Sequence, residues 1–189
     1  MGPEIREETI GRLAEHGAVP IAFPVAARVR VVGDRLLEEP VVPPWVKDYD
    51  AEPGNAPADW TRRFDVSAWG LLAAWEAGTR IGVAVVAWNT RGLDLLEGRD
   101  DLALLWDLRV EPARRRTGVG TALLQAVVRW ARERSCVHLD VETQDVNVPA
   151  CRFYAQRGFR LRRVDANAYP SHPDETRLIW RHELGYPSP

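Results

Sequence analysis

Three consecutive arginines, Arg114, Arg115 and Arg116, stand just before two glycines, Gly118 and Gly120, that open a long apolar-striped segment. The apolar run 102–110 before them reads as a strand. The stretch from about Thr117 to Arg134, with Leu123, Leu124, Val127, Val128 and Ala131 on one face, reads as a helix. A helix start presents unpaired backbone N–H groups and roughly half a positive charge, and glycine lets an anion approach them without a Cβ in the way. Arginines there are electrostatically misplaced by roughly 0.3–1 kcal/mol each when exposed, unless a polyanion offsets them. A plainer reading stays open, in which the arginines solvate a turn and the glycines merely start a helix. No G-x-G-x-x-G or Lys-Ser/Thr phosphate loop occurs there.

A second concentration of chemistry lies at 141–159 (VETQDVNVPACRFYAQRGF). Asn147 is a candidate N-cap, with Pro149 tolerated in the first helical turn. Tyr154 follows seven residues later, two turns along. Taken alone it is a half-buried aromatic. Glu142 ends the preceding strand, and Asp107 lies in the strand before the arginines.

The run Arg115–Gly120 resembles the R/Q-x-x-G-x-G/A signature of GNAT acetyltransferases, set between a strand and a helix. Residues 147–159 resemble the N-x-x-A-x-x-F/L-Y-x-x-x-G-F pattern of the same family at every named position. The resemblance implies that backbone N–H groups of Arg116, Thr117, Gly118, Val119, Gly120 and Thr121, with Arg115, hold the pyrophosphate of acetyl-CoA as cosubstrate. It implies further that Leu108, Arg109 and Val110 pair with the pantetheine amides and that Asn147 touches the cofactor. Attack of an amine on a thioester needs a neutral amine and a proton for the departing thiolate. An un-ionised tyrosine, with a reference pKa of about 10, can give that proton. By resemblance Tyr154 is this general acid, and Glu142 is the base, with Asp107 its rival; either could act through a water.

The run 142–154 is also similar to streptothricin acetyltransferases, which read ETQ-D/N-x-N-x-x-A-C-x-F-Y. Residues 44–50 (PWVKDYD) and 174–180 (DETRLIW) look similar to the same enzymes, which acetylate a β-lysine amine on a cationic antibiotic. The implied acceptor is a small-molecule amine. Asp48, Asp50, Asp94 and Glu97 would attract a cation, and Trp45, Tyr49 or Trp88 would offer it aromatic faces. Charged loops and core tryptophans are the bland alternative, and Trp130 and Trp180 are expected in the core. The stretch 89–101 departs from those enzymes by its length. Two rival functions remain open. One is acetylation of a protein or peptide amine, which needs an open groove. The other is a non-catalytic acyl-CoA-binding regulatory module, against which Tyr154 argues.

The elements that must position these groups follow from pattern. Residues 4–16 carry a modest helical pattern ended by Gly17. Residues 25–32 and 35–42 are extended around a Gly33-Asp34 turn. The segment 42–59, rich in proline and acids, reads as a loop. Two strands, 69–76 and 80–88, flank the turn 77–79, and 89–101 is a polar excursion. The strand 102–110 leads into the long helix, and a strand at 137–142 and a helix at 148–157 come next. Strands near 159–164 and 176–183 complete a mixed α/β (α+β) order with antiparallel N-terminal strands and a β-α-β cradle. The reading is one GNAT-like domain over 1–189, with 1–68 the variable acceptor-side part and 69–184 the acetyl-CoA core.

Composition bounds the rest. The chain has 189 residues, 46% of them hydrophobic, and a formal charge of −2, which gives no general argument for nucleic acid or an anionic membrane. Lys47 is its single lysine. Cys136 and Cys151 are expected as reduced, buried thiols, and no metal-ligand spacing occurs. The N-terminus is amphipathic and acidic, unlike a signal sequence, so a cytoplasmic location is expected, without nucleic-acid or membrane partners. Homodimers are common among the enzymes it resembles.

Overall fold

The computed structural model describes residues 2–33 and 35–185. In chain order the elements are β1 (Glu4–Glu8), α1 (Leu13–His16), β2 (Phe23–Val32), β3 (Arg35–Lys47), α2 (Pro57–Arg63), β4 (Gly70–Glu76) and β5 (Thr79–Trp88). They continue with β6 (Leu102–Val110), α3 (Val119–Glu133), β7 (His138–Gln144), α4 (Val148–Ala155), β8 (Arg160–Asp165) and β9 (Arg177–Glu183). The fold is mixed α/β, and the pairings β1/β4, β4/β5, β5/β6, β2/β3 and β8/β9 are all antiparallel. The residues fall into two compact units. The first takes the described residues of Met1–Ile21, Tyr49–Leu139 and Leu184–Pro189, the second those of Ala22–Asp48 and Asp140–Glu183.

In the first unit the strands lie in the order β1-β4-β5-β6. β4 and β5 meet at Ala77-Gly78, whose φ values of 48° and 78° suit the two-residue turn that matches strand twist. Helix α3 buries Leu123, Leu124, Ala126, Val127, Trp130 and Ala131, while Val128 is only half-buried. The helix comes very close to the sheet at two glycines. A Cβ on Gly70 would lie 2.4 Å from the Trp130 ring, and one on Gly82 would lie 2.9 Å from Val119. The excursion 89–101 is anchored rather than loose, because Leu93 and Leu96 join the core cluster with Trp60, Trp69, Leu71 and Leu104. Cys136 is buried and unpaired as a thiol, like Cys151 in the second unit.

Two sequence expectations need correction. Residues 4–16 are not one helix: Glu4–Glu8 is a strand, a 3-10 turn covers Ile10–Arg12, and only Leu13–His16 is α-helical. Tertiary partners override a weak local preference here. Strand β4 offers an open edge, and the acids of β1 find distant donors. Glu7 accepts from the Trp130 indole at 2.8 Å, and Glu8 from Trp75 at 3.1 Å and Arg80 at 2.6 Å.

The second correction concerns 42–59. Its first part is strand, since β3 runs on to Lys47 and pairs with Phe23–Val25. The register passes from Val25↔Trp45 to Ala27↔Pro40, so the prolines at 43 and 44 sit in a bulge where no ladder donor is required. Its last part begins α2, with Pro57 in the first turn.

In the second unit β2 and β3 pair antiparallel, and Asp34, expected in a turn, lies outside the described residues. β9 lies between β7 and β8. The Val29 N–H donates to the Asp145 carbonyl at 2.8 Å, tying β2 to the end of β7. Trp180, buried as expected, donates its indole N–H to Thr143 at 2.8 Å.

Candidate active site

The first unit carries the phosphate-type turn. Strand β6 ends at Val110, and a 3-10 turn covers Pro112–Arg114. Arg115 is extended, Arg116 sits at φ +63° and Gly118 at φ +96°, and α3 starts at Val119. The left-handed state costs a non-glycine residue roughly 1–3 kcal/mol, and such strain gathers where backbone donors are aimed at a ligand. The Ala122 N–H bonds to the Gly118 carbonyl at 3.0 Å, so the helical ladder begins at the glycine carbonyl. No acid lies in the first turn, and a Cβ on Gly118 would meet nothing within 4 Å. An open, acid-free helix start with an unusual backbone fits a pyrophosphate.

The three arginines divide their work. Arg114 pairs with Glu76. Arg115 donates Nε to the Val110 carbonyl at 3.1 Å and a guanidinium N–H to the Pro20 carbonyl at 3.5 Å, which braces the turn against β6. Arg116 is exposed.

Upstream, β6 carries a bulge: Val85 faces Asp107 but Val86 faces Leu105, leaving Trp106 as the extra residue. Asp107 and Arg109, two apart, share a face and are both buried. Arg109 donates Nε to Asp107 at 2.8 Å and reaches both carboxylate oxygens of Asp50, at 2.6 and 2.8 Å. His16 Nε2 lies 3.6 Å from Asp107. Burial pushes the Asp107 carboxyl upward, but His16 and Arg109 outweigh it and leave the group below its ordinary value. Asp50 is thus spent on Arg109 within the protein.

The second unit holds Glu142, Asn147 and Tyr154. The Asn147 side chain accepts from Ala150 N–H at 3.2 Å, the cap expected of it, and Pro149 lies in the first turn of α4. Tyr154 is buried, its ring 5.2 Å from those of both Phe153 and Phe159. Cys151 contacts Thr143 at 3.3 Å, and burial raises its thiol to about 11, so it is no nucleophile at neutral pH. Glu142 accepts from the Tyr169 hydroxyl at 2.7 Å, with Arg177 3.8 Å from its other oxygen. Here burial is the strongest influence and raises the carboxyl, against Tyr169, Arg177 and Arg163.

Of the residues expected to draw a cation, Trp88 donates its indole N–H to the Asp100 carbonyl at 2.6 Å, while Asp94 and Glu97 begin and cap a short 3-10 turn. Among the described residues no group of three or more His, Cys, Asp or Glu side chains could hold a metal, and no helix is long and apolar enough to cross a membrane.

Sequence reasoning overlooked Tyr169 and the buried Lys47–Glu175 ion pair. A signal for the pair was present: the runs 44–50 and 174–180, similar to the same enzymes, contain its two ends.

The family model described as the Acetyltransferase (GNAT) family matches residues 35–159. The chain belongs to the GNAT acetyltransferases. Acetyl-CoA is the cosubstrate of this family. The streptothricin acetyltransferase of Streptomyces lavendulae is 31% identical to this GNAT chain over 152 residues, 78% of this chain and 75% of that protein. Streptothricin acetyltransferase A of Bacillus subtilis (strain 168) is 40% identical over 84 residues, 43% of this chain, and the match spans about half, 49%, of that relative's length. The crystal structure of nourseothricin acetyltransferase superposes with a TM-score of 0.74 at 25% identity, covering 98% of this chain and 100% of that one. The acetyl coenzyme A complex of a Bacillus anthracis str. Ames protein assigned to the streptothricin acetyltransferases has the same fold, with a TM-score of 0.74 at 24% identity over 97% and 99% of the two chains.

Proposed function

We propose that this GNAT protein moves the acetyl group of acetyl-CoA to a primary amine of a small cationic molecule of the streptothricin type. The 31% identity to the Streptomyces lavendulae enzyme over 78% of the chain carries this reading. The run from Glu142 to Tyr154, which fills the pattern of those enzymes, supports it.

In this reading the open helix start at Gly118, the backbone of Arg116–Thr121 and the exposed Arg116 grip the pyrophosphate. The Leu108–Val110 backbone and Asn147 hold the pantetheine side. Residues 69–184 form the cofactor side and 1–68 the acceptor side of one domain. Bound acetyl-CoA supplies an activated acyl carbon with a thiolate leaving group. Glu142 removes one proton from the acceptor ammonium, whose reference pKa is about 10.4, and passes it to solvent. As the C–N bond forms and the C–S bond breaks, Tyr154 gives its proton to the departing sulfur. The second proton lost by the nitrogen restores the Tyr154 hydroxyl.

The choice of Glu142 over Asp107 rests on charge. Asp107 is neutralised by Arg109 and lowered, so it is a poor base. Glu142 is raised, which brings its basicity nearer to neutral pH.

The test is thiol release from acetyl-CoA with streptothricin, aminoglycosides, polyamines and peptides as acceptors. Streptothricin turnover well above the others is the expected result. Preference for a peptide overturns the substrate class, and release no faster than in buffer with every acceptor overturns the enzymatic reading.

A further inference from the structure

We propose that Tyr169, presented by the loop between β8 and β9, is a positioning residue that orients the Glu142 carboxylate and keeps it available as a base. The proposal builds on the assignment of Glu142 to the acceptor's proton. The geometry behind it is a single well-made hydrogen bond from a firmly held loop.

The loop 166–176 is over-determined. The His172 N–H donates to the Tyr169 carbonyl at 2.9 Å, closing a turn with Pro170 in its second position. The Glu175 N–H donates to the His172 carbonyl at 3.0 Å, closing another with Pro173 in the same place. Proline fixes φ near the value this turn position needs. At the entry, Asn167 N–H bonds Asp165 at 3.1 Å. At the exit, Thr176 N–H bonds Asp145 at 2.9 Å, and the Glu175 carboxylate receives Lys47. Arg28 adds a bond to the Asp174 carbonyl at 2.9 Å. Two proline turns and a buried ion pair are a large investment for a loop that only needs to join two antiparallel strands. They hold the Tyr169 hydroxyl 2.7 Å from Glu142.

The type of partner matters as much as its place. Glu142 is faced by Tyr169 from the loop, by Arg163 and Asp165 from β8, and by Arg177 from β9. The nearest cation, Arg177, is committed to Asp165 at 2.7 Å and stays 3.8 Å from Glu142. Among the described residues it is a neutral phenol that supplies the hydrogen bond Glu142 accepts. Asp107 shows the alternative: His16 and a guanidinium in direct contact hold that carboxyl below its ordinary value despite its burial. A phenol with a reference pKa of about 10 fixes the direction of the carboxylate and favours its ionised form without adding a charge, against the burial that raises it.

The test uses the full-length protein and two readouts. In the first, carbon-13 NMR of glutamate-labelled protein follows the Glu142 carboxyl through a pH titration, with Glu142→Gln giving the assignment. Tyr169→Phe is expected to move that titration to higher pH, since the lost hydrogen bond favoured the ionised form. In the second, kcat/KM for the best acceptor is measured against pH. Tyr169→Phe is expected to move the acidic limb upward, with a loss of about tenfold below the limb and under about twofold on the plateau. Tyr169→His, which restores a donor, should recover part of the loss.

A Glu142 titration unmoved by Tyr169→Phe overturns the proposal, as does a limb that stays in place while only KM changes. Full activity of Glu142→Gln, with the titration still moved, instead removes Glu142 from the reaction and leaves the Tyr169 contact standing.

Discussion

The Lys47 ammonium lies 3.0 and 3.2 Å from the two carboxylate oxygens of Glu175, and both side chains are buried. The single lysine of an arginine-rich chain is thus inside the protein, 128 residues from its partner. Removing one member strands the other charge, so Lys47→Met should cost about 3–5 kcal/mol. The double variant Lys47→Met with Glu175→Met, which leaves no orphan charge, should be markedly more stable than either single variant. Urea midpoints at neutral pH check this; equal losses in the double and the single variants would contradict it.

Two glycines separate fold from ligand. Gly70→Ala puts a Cβ 2.4 Å from the Trp130 ring, which cannot yield easily because its indole N–H is bonded to Glu7 and Arg134 stacks on its face. A stability loss of about 1–3 kcal/mol is expected, with acetyl-CoA affinity little changed once folded.

Gly118 has open space where a Cβ would go. Gly118→Glu is expected to abolish acetyl-CoA binding through bulk and like charge, with a backbone cost from its φ of +96° on the order of 1–2 kcal/mol. Calorimetry decides, and unchanged affinity would remove the cradle.

Tyr154→Phe keeps the ring against Phe153 and Phe159 and deletes only the hydroxyl. Turnover should fall by about 10²–10⁴-fold with little change in melting temperature or acetyl-CoA affinity. A variant with normal turnover would show that Tyr154 is only a packing residue.

The buried Asp107 and the half-buried Glu142 should move stability in opposite directions with pH. Asp107 is lowered in the fold, so its contribution is complete above the unfolded value of about 3.9 and is lost as pH falls through its lowered folded value. Asp107→Asn should therefore lower stability at pH 7 and make the remaining loss in acid shallower. Glu142 is raised, so its favourable contribution is complete below about 4.3 and is lost as pH rises through its folded value. Glu142→Gln should stabilise the protein more at pH 8 than at pH 4 while losing activity. Melting curves from pH 3 to pH 8 read both effects.

The local signals proved sufficient where a motif carries its own stop and start. The run 102–110 became β6 with the same ends, Gly78 marked the β4–β5 turn, and Asn147 capped α4. Those features depend on neighbours within a few residues: turn glycines, a cap, an apolar stripe. The order of strand, turn and helix start around residues 110–119 was legible for the same reason, because the three are contiguous.

Chain reversal decided what contiguity does not. The acidic stretch 4–8 had a helical pattern and became a strand only because β4 offered an open edge. Residues 42–47 looked like a proline loop and joined β3 because β2 supplied a partner and a bulge took up Pro43 and Pro44.

The same holds for the charges. Asp107 and Glu142 are both carboxylates in strands; His16 and Arg109 lower one, and Tyr169, 27 residues away, meets the other with a neutral hydroxyl. Residue types alone thus determined the family pattern and the contiguous elements, while the folded chain decided which carboxyl is lowered and which is raised. Ionisation depends on burial and on groups within a few ångströms, and those distances exist only after distant segments have met.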